Sequence, residues 1–201
     1  MKVHILGKGP GFLDAPALSE EHEVWGLNDI RLYRESVDIL FHMHDLNVAT
    51  APNKLALVVA EQDGIPLCTL REFEWLSNSF AYPLDEIIEQ HGHKYFANTI
   101  CYMIAYAIHK GATDIDLWGV SLFSNQRDSE ERSCVEYWVG VATGKGLNIT
   151  IHGESALLKV GAKNKLYGYE MTGDPGDFKN NCLKPNEMTL EQFDKIKRGT
   201  E

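Results

Sequence analysis

Short apolar runs, each ending in glycine or polar residues, alternate along the chain with stretches of helical period. Val3, Ile5 and Leu6 form the first run, which breaks at Gly7-Lys8-Gly9-Pro10-Gly11. β-Branched and long aliphatic residues favour a strand, and the glycines let the backbone turn sharply afterwards. A short helix is expected next, capped by Asp14 with Pro16 in its first turn. Glu23–Leu27 reads as a second strand with Asn28-Asp29 at its carboxyl end, and residues 37–45 as a third running into His42, His44 and Asp45. Residues 46–95 are less regular: 65–70 suit a strand, 84–90 a short helix, and Trp75–Tyr82 a loop at the rim of a sheet. The clearest helix is Thr99–Lys110, where Ile100, Met103, Ile104, Ala107 and Ile108 recur at helical spacing before the stop at Gly111. A strand over 113–120, a polar loop over 121–132, a helix bearing Val135, Trp138, Val139 and Ala142, and a last strand over 147–151 complete the pattern.

Strands that alternate with helices through single glycines imply parallel crossovers. The fold class is therefore α/β, a Rossmann-like, mostly parallel sheet flanked by helices. It occupies residues 1–158, and residues 159–201 form a C-terminal extension rather than an independent domain. Composition sharpens this division, because Lys and Arg number 11 against 22 Asp and Glu up to Leu158, but 8 against 7 beyond it. A net charge of −10 argues against nucleic acid as a partner, which would call for a basic face. No apolar run reaches the ~20 residues of a membrane span, and no basic-then-apolar leader opens the chain, so no membrane partner and a cytoplasmic location are expected. Four scattered cysteines without a Cys-x-x-Cys pair read as ordinary reduced residues.

In open α/β sheets ligands bind at the carboxyl ends of the strands, where this chain gathers its polar residues. Gly7, Lys8 and Gly9 suit a phosphate-facing loop, Asn28 offers a donor and an acceptor, and Asn98 and Thr99 open the long helix where its amides favour an anion. These six residues are the candidate nucleotide-binding set. His44, Asp45 and Arg127 are the candidate catalytic residues, and His152, Glu154 and Ser155 join the rim. His42 and His44 alternate onto one face of their strand, so a metal-dependent hydrolase using His42, His44 and Asp45 is an alternative. Their ligand set is incomplete, and no metal is predicted. A dinucleotide oxidoreductase would place Asp29 on a ribose, but the loop lacks the third glycine of that motif.

The blocks Ile5–Pro10 and Asn98–Ala107, continuing through Gly111, Ile115, Leu117 and Gly119, resemble the Rossmann-like group that contains the sialyltransferases of glycosyltransferase family 42. That group also contains archaeal-type 6-hydroxymethylpterin pyrophosphokinases. Val135–Gly140 through Gly146, with Ser155–Leu158, is similar to uncharacterised bacteriophage proteins of the group, which implies a phage-encoded protein. The resemblance implies that Gly7, Gly9, Asn28 and Thr99 hold the nucleotide of a donor. It also implies a transferase using a nucleotide-activated donor, by glycosyl or pyrophosphoryl transfer, with a nucleotide or nucleotide-sugar as ligand, and no cofactor is firmly implied. Two departures stand out: Val120-Ser121 replaces the family's aspartate after the glycine, and no histidine follows until His152. They keep open a non-catalytic binder that sequesters a nucleotide signal. Self-association is also left open.

Overall fold

The computed structural model describes residues 1–123 and 126–159, with the side chains of residues 126–129 excepted. Seven strands, β1 (Lys2–Leu6), β2 (His22–Leu27), β3 (Ile39–His42), β4 (Leu67–Thr69), β5 (Ser79–Ala81), β6 (Asp114–Trp118) and β7 (Asn148–Ile151), form one sheet. Their order is β5-β4-β3-β2-β1-β6-β7, and every pairing is parallel. Four α-helices flank the sheet among the described residues: α1 (Ala51–Gln62), α2 (Leu84–His91), α3 (Thr99–His109) and α4 (Gln126–Gly144). This is the expected Rossmann-like α/β architecture.

Strand alternation sends Val3, Ile5, Trp25, Leu27, Phe41, Ile115 and Leu117 into a core shared with Met103 and Ile104 of α3 and Val135 and Trp138 of α4. The opposite face puts Leu6, Val24, Leu40 and Leu67 against Leu57 and Ala60 of α1. α3 is apolar nearly all round because it is buried nearly all round, from Thr99 to Ile108. Its end is fixed by Gly111 at φ 74°, where Ala112 donates to the carbonyl of Ala107 at 2.9 Å.

From β1 the chain steps outward through β2, β3, β4 and β5, then returns through α2 and α3 to lay β6 on the other side of β1. Successive connections thus diverge between β1 and β6, opening the crevice at their carboxyl ends that characterises this topology.

Several elements differ from the pattern-based reading. No α-helix follows the glycine loop: a single 3-10 turn, Phe12–Asp14, begins at Gly11, and Asp14 caps nothing. α1 occupies part of the region expected to be irregular. Its Leu55 and Val58 face solvent at 54% and 42% exposure, so its apolar positions do not trace one face. Ser79–Ala81, within the expected rim loop, is an edge strand. The expected loop over 121–132 runs into α4, which starts at Gln126. The extension beyond residue 159 lies outside the described residues. No described helix is long and apolar enough to cross a membrane.

Candidate functional site

The loop after β1 is held against the loop after β6. Gly7 donates its N–H to Trp118 O and Gly9 to Gly119 O, each at 2.7 Å. These two amides therefore serve the splice between the strands. Lys8, between them, places Nζ 2.6 Å from Oδ1 of the buried Asp29. Asp29 is thus neutralised by Lys8.

At the end of β2, Asn28 adopts φ 53°, a left-handed conformation unusual for a side-chain-bearing residue. Its N–H reaches Phe41 O at 2.8 Å, while its Oδ1 is buried with no hydrogen-bond partner. A strained backbone and an unmatched polar atom each cost about 1–3 kcal/mol. The two coincide at the carboxyl end of β2.

The third wall is the start of α3. Asn98 caps it, its Oδ1 accepting from Cys101 N at 3.1 Å, while its Nδ2 donates to Glu131 Oε2 of α4 at 3.3 Å. The amides of Thr99 and Ile100 lie in the first turn, where a helix has no internal acceptors and carries a partial positive charge.

These walls enclose a cavity of about 280 Å³. All six candidate nucleotide-binding residues, Gly7, Lys8, Gly9, Asn28, Asn98 and Thr99, line it, and so does His44. Asp45 does not. It lines a neighbouring cavity of about 500 Å³ with Asn47, Arg71, Phe73 and Trp75, and His44 forms part of that wall too. There the Arg71 guanidinium sits 5.3 Å from the centre of the Phe73 ring, and Trp75 is 58% exposed. The Arg127 side chain lies outside the described residues.

His42 is 1% exposed, and neither of its ring nitrogens has a hydrogen-bond partner. Burial, helped by the neighbouring His44, pushes its pKa down to about 4. The two imidazoles meet edge to face at 5.6 Å, and no group of three His, Cys, Asp or Glu among the described residues is arranged around a common metal position.

The later rim candidates sit elsewhere. His152 stacks on Trp118 at 3.6 Å, with Nε2 3.5 Å from Asp116. Asp116 also receives Lys2 at 2.8 Å and His4 at 3.2 Å. Ser155 is buried and donates to Val120 O at 2.5 Å, while Glu154 is exposed. None of the three lines the cavity.

Two lining residues, Ser121 and Glu131, lie in what the sequence pattern makes a polar loop. The available signal was Arg132 with Glu136, a helical i,i+4 pair at 2.9 Å that extends α4 toward the cavity.

No protein-family model matches the chain, and no curated protein matches it in sequence. Solved structures match in fold. The sialyltransferase CstII from Campylobacter jejuni, in complex with the substrate analogue CMP-3FNeuAc, gives a TM-score of 0.52 at 13% identity over 75% of this chain and 79% of that one. The sialyltransferase CST-II with trisaccharide acceptor and CMP gives 0.50 at 13% identity over 75% and 80%. The shared property is the Rossmann-like fold.

Proposed function

We propose that this protein is a glycosyltransferase-like enzyme that binds a nucleotide-activated sugar in the smaller cavity and an acceptor in the larger. The observation that carries this reading is the position of His44, the residue common to both walls. The fold shared with structures holding CMP or a CMP-sugar analogue makes a cytidine nucleotide the first candidate.

In this reading the donor phosphate lies at the start of α3, against the Thr99 hydroxyl and the first-turn amides, and Asn28 supplies the amide that the nucleotide satisfies. The acceptor hydroxyl attacks the anomeric carbon, the bond from that carbon to the phosphate oxygen breaks, and the nucleotide leaves with the bonding electrons. His44 takes the proton of the attacking hydroxyl. The helix amides offset the charge gained by the leaving phosphate. Gly7 and Gly9 shape the wall, since their own N–H groups are engaged with β6 and the loop after it.

Thermal denaturation with CMP, UMP, AMP and GMP tests the binding step. A nucleotide present at 100 times its dissociation constant adds about 2.7 kcal/mol, a shift of several degrees for a chain of this size. CMP is expected to give the largest shift, and the absence of a shift with every nucleotide at millimolar concentration overturns the reading. His44→Asn is expected to retain the CMP shift while abolishing transfer from, or hydrolysis of, a CMP-sugar. Full turnover in that variant removes His44 from the mechanism.

A further inference from the structure

Two of the cysteines, far apart in sequence, meet in space. Cys101, in the first turn of α3, and Cys134, on α4, are fully buried free thiols with their sulfurs 3.0 Å apart. Formation of a disulfide requires a further approach of about 1 Å, within reach of a side-chain rotation. We propose that Cys101 and Cys134 are an oxidation site: a dithiol that a hydroperoxide converts to a disulfide, fastening α3 to α4 behind the cavity.

Three observations support the site. The sulfurs face each other, and Cys68, an equally buried free thiol on β4, serves as an internal comparison. Cys134 is the better nucleophile of the two, because its sulfur receives the Cys101 S–H and the Ala97 N–H at 3.3 Å, and these donors favour its thiolate. The cover over the pair is a segment without helix or strand, held by Phe96 stacked on Trp138 and by the Trp138 indole N–H donating to Tyr95 O at 2.7 Å. Cys134 donates to Tyr95 O at 3.2 Å, and Tyr95 belongs to a stretch, 93–97, without helix or strand, in which His93, Lys94, Tyr95 and Ala97 are exposed. Opening of that stretch admits a small peroxide without dismantling the sheet.

The chemistry balances. With hydrogen peroxide, Cys134 Sγ attacks one oxygen, the O–O bond breaks, and the sulfur becomes a sulfenic acid as the first water leaves. Cys101 Sγ then displaces the sulfenic oxygen, the S–S bond forms, and the Cys101 proton departs with that oxygen as the second water. Two thiols lose two electrons, and one peroxide becomes two waters.

The consequence follows from position. Thr99 lies two residues before Cys101 and Glu131 three before Cys134, and both line the smaller cavity. A disulfide would fix the separation of these two walls, and the inference holds whatever ligand fills the space between them.

The test uses the full chain. After exposure to hydrogen peroxide, the protein is denatured, alkylated and mapped by mass spectrometry, and its thermal midpoint is followed in parallel. The expected product links the Cys101 and Cys134 peptides, leaves Cys68 alkylated, and raises the midpoint by about 5–15 °C, reversibly on reduction, because the cross-link spans 33 residues. Sulfinic acid at either position without a cross-link, a cross-link to Cys68 or Cys182 instead, or thiols that react only once the chain unfolds each overturn the proposal.

Discussion

Gly7 and Gly119 meet backbone to backbone: a Cβ added at Gly7 would lie 2.4 Å from Gly119 O. The same oxygen stands 2.7 Å from the place of a Cβ at Gly9, and Ser121 Oγ stands 2.8 Å from it. Gly7 and Gly9 are therefore required by the close approach of the β6 loop. Gly7→Ala or Gly9→Ala should destabilise the fold by about 1–3 kcal/mol, as other overpacked sites do. Gly140, inside α4, gives the opposite expectation, since a methyl added there would meet nothing within 4 Å. Gly140→Ala should stabilise by up to ~1 kcal/mol through helix propensity. Urea denaturation of the three variants checks both signs, and equal effects would contradict the packing argument.

Acid should destabilise the protein in a window set by histidines. Burial pushes His42 and His4 each down to about 4, from an ordinary value of 6.5. The unfolded chain therefore takes up these protons first as pH falls. Stability is fully present above pH 6.5 and declines toward pH 4, at a cost of up to ~3 kcal/mol for His42 and less for His4, which lies beside Asp116 and is more screened. Asp116, held below its usual range by Lys2 and His152 despite its burial, contributes only at lower pH. Urea midpoints at pH 7.5 and 4.5 should differ accordingly, and His42→Leu should recover part of the difference. Midpoints that stay constant across this interval would refute the assignment.

Asn28 should trade stability against binding. Its φ of 53° suits glycine better than asparagine, and its buried Oδ1 has no hydrogen-bond partner. Asn28→Gly is expected to raise stability by about 1 kcal/mol while weakening the CMP shift. A variant that is both less stable and unaltered in binding would show that asparagine is there for the turn alone.

What the sequence revealed and concealed follows from the range of the interactions concerned. β1 and α3 were legible because each carries a continuous apolar pattern with local punctuation, Gly7 after one, Asn98 and Gly111 around the other. The convergence of Gly7, Asn28 and Thr99 was legible because parallel strands bring their carboxyl ends to one edge. α1 was hidden by Leu55 and Val58, apolar residues on its solvent side, and the start of α4 by its polar opening turns. Glu131 and the Cys101–Cys134 contact depend on how α3 packs against α4, across 33 residues in each case, and no local pattern encodes that. The turn after β1 is readable from its glycines, but its cause only half so: the partner that excludes a Cβ follows a strand more than a hundred residues away.

The start of α3 allows fold and binding to be separated by charge. Asn98 uses one amide atom for each of two tasks, Oδ1 capping Cys101 N and Nδ2 donating to Glu131. Asn98→Asp keeps an oxygen for the cap and adds a negative charge where the helix dipole favours one, so the helix should persist. The same change replaces the donor with a second carboxylate facing Glu131 and puts that charge into the cavity proposed for a phosphate. CMP affinity should fall by at least about tenfold, while the far-ultraviolet circular dichroism stays that of the parent. Thr99→Val removes the hydroxyl without adding charge, and the loss of one hydrogen bond to a charged group, about 1.5–3 kcal/mol, corresponds to a ten- to hundredfold weaker complex. Raised salt should restore part of the affinity lost in Asn98→Asp but none of that lost in Thr99→Val, because only the former is a repulsion that ions screen. Equal salt responses in the two variants, or folded variants that bind CMP as the parent does, would place the phosphate away from α3.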